Sequence, residues 1–145
     1  MAMDRQGTGL SVVRILIGVF FIFEGIDKLR WLVNPSILEK QLGGWHQAAV
    51  PGSMVAMYLE RFAIPGVPVF SRLVPLGEFF CGLALVVGFW TPLFAFIAFF
   101  MALNFQFASG ALFKFSFLTS GYGLPVLGST LGLTIGGVRL PWSLR

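Results

Sequence analysis

Four long apolar stretches dominate the chain and lie at about residues 10–33, 67–89, 93–108 and 115–138. An apolar helix of about 20 residues is long enough to cross the hydrocarbon core of a bilayer. Four such helices would use most of the 145 residues. The pattern therefore predicts an all-α membrane protein, with a single transmembrane domain over residues 1–145.

The composition excludes the soluble classes of protein. Hydrophobic residues make up 57% of the chain and charged residues only 11%, whereas roughly a quarter of the residues in soluble domains are charged. A water-soluble enzyme is excluded because so few polar residues cannot cover a globule in water. Disorder is excluded because the 17 Phe residues need burial. The net charge of +4 includes no basic run, so we expect no nucleic-acid partner.

The connections between the stretches predict how the helices are arranged. Residues 90–92 and 109–114 are short links, which join antiparallel neighbours. We therefore expect an up-down four-helix transmembrane bundle with both termini on one side of the bilayer. The longer connection, residues 34–66, contains an amphipathic segment at 54–62 and aromatic residues suited to a membrane surface. It predicts an interfacial helical segment between the first and second spans.

Polar residues within the apolar stretches converge at one depth in such a bundle. Glu24 and Lys28 are spaced i,i+4 and can pair on one helix face. Glu78 has no partner in its own helix, so it must meet Lys28, Asn104, a hydroxyl or water across the bundle, or stay protonated. Tyr122 lies at the same depth. This candidate layer, Glu24, Lys28, Glu78, Asn104 and Tyr122, is the predicted ligand-binding site.

Two interpretations of the polar layer remain open at this stage. The first is a polar core that fixes the register of the bundle. The second is a site for a small molecule or for protons, covered by Trp45, His46 and the interfacial segment. The residue types fit both, because buried ionisable groups in membranes are costly whether they serve structure or function.

Small residues predict where helices approach each other closely. Arg14, Gly18, Gly25 and Lys28 share one face of the first span, and we expect this face to turn inward. Three glycines spaced four apart share a face of the last span. They predict either packing inside the bundle or a contact between subunits: Gly128, Gly132 and Gly136.

The residues that commonly bind metals or carry redox chemistry are scarce. Cys81 is the only cysteine and His46 the only histidine, so an intrachain disulfide and a pair of axial haem histidines are excluded. No Cys/His cluster has the spacing of metal ligands. We therefore expect no metal site and no redox centre belonging to the chain itself.

Two motifs resemble the DoxX/DoxD family of small four-helix membrane proteins. They are Arg14-Ile-Leu-Ile-Gly18 followed by Glu24-Gly25-Ile-Asp27-Lys28-Leu29, and Glu78-x-x-x-Gly82-x-x-Leu85-x-x-Gly88-x-x-Thr91-Pro92. The motif positions of the family here are Gly25, Lys28, Glu78, Gly82 and Gly88, and none of them is an established catalytic residue. The chain departs from the family at Pro92, where a basic residue is frequent, and at Glu24.

The resemblance implies a DoxX-like multi-pass protein of a prokaryotic plasma membrane. Family members include the membrane subunit of an archaeal thiosulfate:quinone oxidoreductase, and others are linked to redox complexes. This implies lipid contact, partner subunits of a larger complex or a homo-oligomer, and a non-covalently bound quinone as the cofactor to consider. Whether the chain is itself an enzyme stays open.

Two functions follow from these observations. The chain is either a quinone-site or proton-site subunit of a membrane redox complex, or a purely structural accessory subunit that assists assembly. A transporter ranks third, because four spans are few and no repeat is evident.

Overall fold

The structure, a computed structural model, describes residues 4–144, and within that range the chain is all-helical without a β-strand. An all-α fold is therefore confirmed. A π-helical turn, Leu59–Ala63, follows the fourth helix. The helices are α1 (Arg5–Asp27), α2 (Arg30–Val33), α3 (Ser36–Ala48), α4 (Met54–Tyr58), α5 (Val67–Val87), α6 (Thr91–Ala108), α7 (Phe115–Thr119) and α8 (Leu124–Gly136).

Three of the helical segments are long and apolar enough to cross a membrane. They are α1 with its continuation to Val33, α5 and α6. They coincide with the first three predicted spans, and each places exposed apolar side chains on its outer face. Such a surface is stable in lipid and not in water, so the chain is a multi-pass membrane protein.

The fourth predicted span, residues 115–138, is divided in the structure. α7 ends at Thr119 and α8 begins at Leu124. The division has a local cause, because Pro125 occupies the first turn of α8, where its missing N–H is not needed. The 13 residues of α8 rise about 20 Å, which is less than the hydrocarbon core of about 30 Å.

α1 and α5 pack with their backbones in direct contact. A Cβ atom on Gly18 would lie 2.8 Å from the carbonyl oxygen of Gly82, and one on Gly25 would lie 2.8 Å from that of Pro75. Close approach through glycine is typical of helix pairs in membranes. The predicted inward face of α1 is confirmed, since all four of its residues are buried: Arg14, Gly18, Gly25 and Lys28.

The helix ends meet at two opposite ends of the bundle. At one end, the Ser11 hydroxyl donates to the Pro141 carbonyl oxygen at 2.8 Å, and the Leu144 N–H donates to the Val87 carbonyl oxygen at 2.9 Å. The start of α1, the end of α5 and the segment after α8 therefore lie together. The long connection, residues 34–66, and the link after α6 meet at the other end.

The predicted helical segment between the first two spans is present as α3, α4 and the π-helical turn. Its buried residues include Leu38, Leu42 and Leu59, and they pack against Trp31 and Ala63 in one apolar cluster. Charged residues of α3 lie on its exposed face. The segment thus covers one end of the bundle with its apolar side.

The glycine face of α8 points away from the other helices. A Cβ atom on Gly128 or Gly132 would have no neighbour within 4 Å, and one on Gly136 would meet Leu10 at 3.4 Å. Packing inside the bundle is therefore the wrong interpretation for the first two glycines. The alternative, a contact between subunits, stays a prediction.

Candidate functional site

A cavity of about 610 Å³ lies between α1, α3, α5, α6 and the residues before α8. Its volume falls within the usual range for ligand pockets, about 300–1,000 Å³. Six aromatic side chains line it: Phe20, Phe21, Trp31, Trp45, Phe105 and Tyr122. Eight non-aromatic polar side chains line the same space: Glu24, Asp27, Lys28, Arg30, Gln41, Glu78, Gln106 and Ser109.

Lys28 is bound by two carboxylates at the base of this cavity. Its Nζ atom lies 2.7 Å from Glu24 Oε2 and 2.8 Å from Glu78 Oε2. The i,i+4 spacing on α1 brings Glu24 within reach, as predicted. Glu78 comes from α5, where the contact between Gly25 and Pro75 brings the two helices together. We call Glu24, Lys28 and Glu78 the charged triad.

Two members of the charged triad are buried, the third is partly exposed, and the triad contains two carboxylates and one cation. Lys28 is 8% exposed and Glu78 is 5% exposed. With both carboxylates ionised the triad carries a net charge of −1, and it is neutral when one carboxyl is protonated. The triad therefore has one carboxylate more than its single cation can neutralise.

Two aromatic contacts extend the triad into the cavity wall. Lys28 Nζ lies 5.4 Å from the centre of the Phe105 ring, within the distance of a cation–π interaction. The Tyr122 hydroxyl donates to Glu24 Oε1 at 3.2 Å. Gln106 holds this tyrosine from α6, since its amide donates to the Tyr122 carbonyl oxygen at 3.2 Å. The cavity thus combines flat apolar walls with convergent donors and acceptors.

Asn104 lies outside this arrangement. Its side-chain oxygen accepts a hydrogen bond from the Tyr58 hydroxyl, which joins α6 to α4. Partial burial raises the pKa of that hydroxyl, so it remains a donor at neutral pH. The cause of the displacement is helix periodicity: Ala102, Phe105, Gln106 and Ser109 share the face toward the cavity, whereas position 104 lies about 160° around the helix from both Ala102 and Gln106. Depth along the helix alone did not indicate the face.

The structure therefore brings four of the five predicted site residues together, Glu24, Lys28, Glu78 and Tyr122, and leaves Asn104 apart. Trp45, which was predicted to cover the site, lines the cavity, and the structure adds two residues of α3 that were not predicted, Ile37 and Gln41. Ile37, Gln41 and Trp45 line the cavity, and their spacing of four places them on one helical face. That spacing is the signal that could have identified them.

His46 does not line the cavity. Its Nε2 atom lies 2.7 Å from Glu60 Oε1, so it joins α3 to the π-helical turn. Trp45, its neighbour, is the residue that covers the site. Among residues 4–144, no group of three or more His, Cys, Asp and Glu side chains could hold a metal ion. The residues that could hold a planar organic cofactor are the aromatic walls and Lys28.

Comparison with known proteins identifies the family. The model of the DoxX family matches residues 9–111, a range that contains α6 and the whole charged triad, whereas Tyr122 lies beyond it. Neither the curated proteins nor the solved structures that were compared include a match to the chain. Because the family match covers well over half of the sequence, the chain belongs to the DoxX family of membrane proteins.

Proposed function

We propose that the cavity above the charged triad binds a quinone headgroup and exchanges protons with it, as part of a larger membrane redox complex. One observation carries this proposal: a triad with a carboxylate in excess forms the base of an aromatic-lined cavity of about 610 Å³. Planar rings stack well on aromatic walls, and a few convergent polar groups orient a ligand.

The residues present fit such a headgroup. An ammonium group has three donors, and Lys28 directs two of them at Glu24 and Glu78. The third contact, to the Glu24 carbonyl oxygen at 3.4 Å, is longer than an ordinary hydrogen bond. This donor is therefore free to turn toward a ligand carbonyl. Phe105 and Trp31, whose rings are stacked 6.3 Å apart, supply a flat wall beside it.

Proton movement is the chemical contribution of this chain. A bound quinone takes up protons together with electrons when it is reduced. Glu78 and Glu24 supply or accept those protons, and the Tyr122 hydroxyl connects Glu24 with the cavity mouth. The electrons come from a partner subunit that carries a redox centre. In this proposal the chain supplies the quinone site and the protons, and the partner subunit supplies the electrons.

The alternative is a purely structural accessory subunit, and one observation favours it. Each member of the charged triad is already hydrogen-bonded within the chain, and the triad joins α1 to α5. A hydrogen-bonded network that joins two helices can serve to specify one helix register. The experiment below separates the two functions.

The test is Glu78→Gln, which keeps the shape and hydrogen bonding of the side chain and removes its proton exchange. Glu60→Gln is the matched control, because Glu60 is an exposed carboxylate outside the cavity. Purified protein is titrated with a ubiquinone headgroup while its tryptophan fluorescence, to which Trp31 and Trp45 in the cavity wall contribute, is followed. Quinone-linked proton uptake and the amount of assembled complex are measured in native membranes.

We expect Glu78→Gln to abolish quinone-linked proton uptake at normal assembly, and Glu60→Gln to leave both unchanged. Unchanged proton uptake in the Glu78 variant would reject the proton role and favour the accessory subunit. If the headgroup does not change the tryptophan fluorescence of the unmodified protein, the proposed binding site is rejected altogether.

We further propose that α8, together with residues 115–123, makes a fourth crossing of a prokaryotic plasma membrane. Support comes from the contact of Ser11 with Pro141, which places both ends of the described chain at one end of the bundle. Single cysteines at Gly9 and Val138 should react with a membrane-impermeant maleimide from one side, and a cysteine at Gly52 from the other. Reaction of the first two from opposite sides would exclude the fourth crossing.

A further inference from the structure

A second, apolar groove of about 440 Å³ continues from the cavity along the outside of the bundle. It runs between α1 and α8 and shares Phe20, Tyr122 and Val126 with the cavity. Beyond these shared residues its walls include Val13 and Leu16 on α1. Leu16 is 65% exposed, so the groove opens sideways toward the lipid.

We propose that this groove holds the apolar tail of the ligand, and that the ligand enters the cavity sideways from the bilayer between α1 and α8. The inference rests on the proposed function, because it takes the cavity as the place of the polar headgroup. It makes the ligand class a long-tailed, lipid-soluble molecule with a planar polar head.

The first span is polar at the cavity and apolar along the groove, and this change supports an apolar tail as the occupant of the groove. Glu24 and Lys28 lie at the cavity, whereas the groove toward Val13 is lined by apolar residues of α1. The distance along the helix from Glu24 to Val13 is about 16 Å, enough for a tail of several isoprene units or a decyl chain. A molecule with a polar head and an apolar tail therefore fits the polar cavity at one end and the apolar groove at the other.

Tyr122 lies where the groove joins the cavity and can act as a gate. Its ring packs on Phe20 with centroids 5.4 Å apart, and its hydroxyl binds Glu24 at 3.2 Å. The residue is 54% exposed and belongs to the non-helical link between α7 and α8. Rotation of this side chain opens the junction without unwinding a helix.

The groove acts on access and orientation more than on affinity. Lipid tails are as apolar as the side chains of the groove, so a tail gains little free energy by moving from one to the other. A headgroup without a tail can instead come from water past Asp27 and Arg30, which are exposed and line the cavity. The two routes can therefore be tested separately.

The first experiment maps the tail. The full chain in lipid nanodiscs is illuminated with a quinone that carries a diazirine in a decyl tail, and the labelled residues are identified by mass spectrometry. We expect labels on α1 near Val13 and Leu16 and on α8 near Ser129. Equal labelling of Phe96 and Phe100, exposed residues of α6, would overturn the proposal.

The second experiment blocks the groove with Ser129→Phe. The control is Ile135→Phe, because Ile135 lies on the same helix, is 77% exposed and does not line the groove. We expect Ser129→Phe to slow binding of the decyl-tailed quinone by about tenfold, while binding of the tail-less headgroup and both rates in the control stay unchanged. Val13→Phe on the opposite wall replaces Ser129→Phe if that variant does not fold.

The two proposals fail in different ways. If the tail-less headgroup binds while labels spread over α6 and the blocked variants bind the tailed quinone at the normal rate, the groove inference is wrong and the headgroup site stands. If neither ligand binds the unmodified protein, the proposed function fails and the groove inference fails with it.

Discussion

The first span, which is α1 with its continuation to Val33, contains two buried cations, and their surroundings differ completely. Lys28 is bound by the carboxylates of Glu24 and Glu78 and faces a cavity of about 610 Å³. Arg14 is 0% exposed, and it donates to the Trp142 carbonyl oxygen and to Ser143 Oγ, both at 2.8 Å. One cation has acidic partners and space beside it, whereas the other has neutral partners.

Arg14 is closely packed as well as hydrogen-bonded. A Cβ atom on Gly88 would lie 1.5 Å from its Nη1 atom, so the guanidinium lies directly on the turn after α5. A guanidinium stays charged at any physiological pH, and carbonyl and hydroxyl partners cannot take a proton from it. Arg14 therefore holds the segment after α8 against the bundle, whereas Lys28 joins the two carboxylates of the charged triad beside a cavity.

The largest effect on stability is expected at Arg14. Replacing it in Arg14→Leu leaves the Trp142 carbonyl without its donor and empties the space over Gly88, so we expect a loss of about 4 kcal/mol of unfolding free energy. Unfolding by SDS in mixed micelles measures this, with the lipid-facing Val12→Leu as control. A loss below about 1 kcal/mol would mean that the segment after α8 is held by other contacts.

The next largest loss of unfolding free energy is expected at Lys28. Lys28→Met leaves two carboxylates facing each other without a cation, and we expect a loss of about 3 kcal/mol. Adding Glu78→Gln should recover about half of it, whereas adding Glu24→Gln should recover less, because the Glu24 side chain is more exposed than that of Glu78 (23% against 7%). The same SDS titration compares the variants. Equal recovery by both second substitutions would show that burial does not distinguish the two carboxylates.

The smallest effects on stability are expected at the two tyrosines of the chain, Tyr58 and Tyr122, which should differ in their effect on ligand binding. Tyr122→Phe removes the hydroxyl bound to Glu24, and Tyr58→Phe removes the one bound to Asn104. We expect each to cost about 0.5 kcal/mol. Only Tyr122→Phe should weaken binding of the quinone headgroup, by about threefold, because Tyr58 does not line the cavity. If both variants bind the quinone headgroup equally well, Tyr122 does not contribute to the binding site.

Local spacing was enough to predict some of the site. The i,i+4 relation of Glu24 and Lys28 depends only on helix geometry, and so does the inward face of Arg14, Gly18 and Gly25. The partner of Glu78 was left open among several groups, because it depends on the register between α1 and α5. That register is determined by the glycine contacts of two helices far apart in the chain.

Asn104 and the glycines of α8 show where such reasoning fails. Asn104 was placed by its depth in a span and the glycines by their spacing of four, but neither shows the direction in which that face points within the bundle. Asn104 faces α4 and Gly128 faces outward. Rotation of a helix about its axis is selected by all of its neighbours together, and an apolar stretch such as α6 carries little sequence signal for that choice, since lipid and protein interior are similarly apolar.

The sequence by itself determined that this chain is an all-α, multi-pass membrane protein of the DoxX family with ionisable residues inside its spans. Those properties follow from hydrophobicity, length and local motifs. Only the tertiary structure decided that Lys28 meets Glu78, that Ile37 and Gln41 of α3 line the cavity, and that Arg14 holds the segment after α8. These contacts join residues distant in sequence, and their formation depends on helix rotation and register, which are set by packing across the whole bundle.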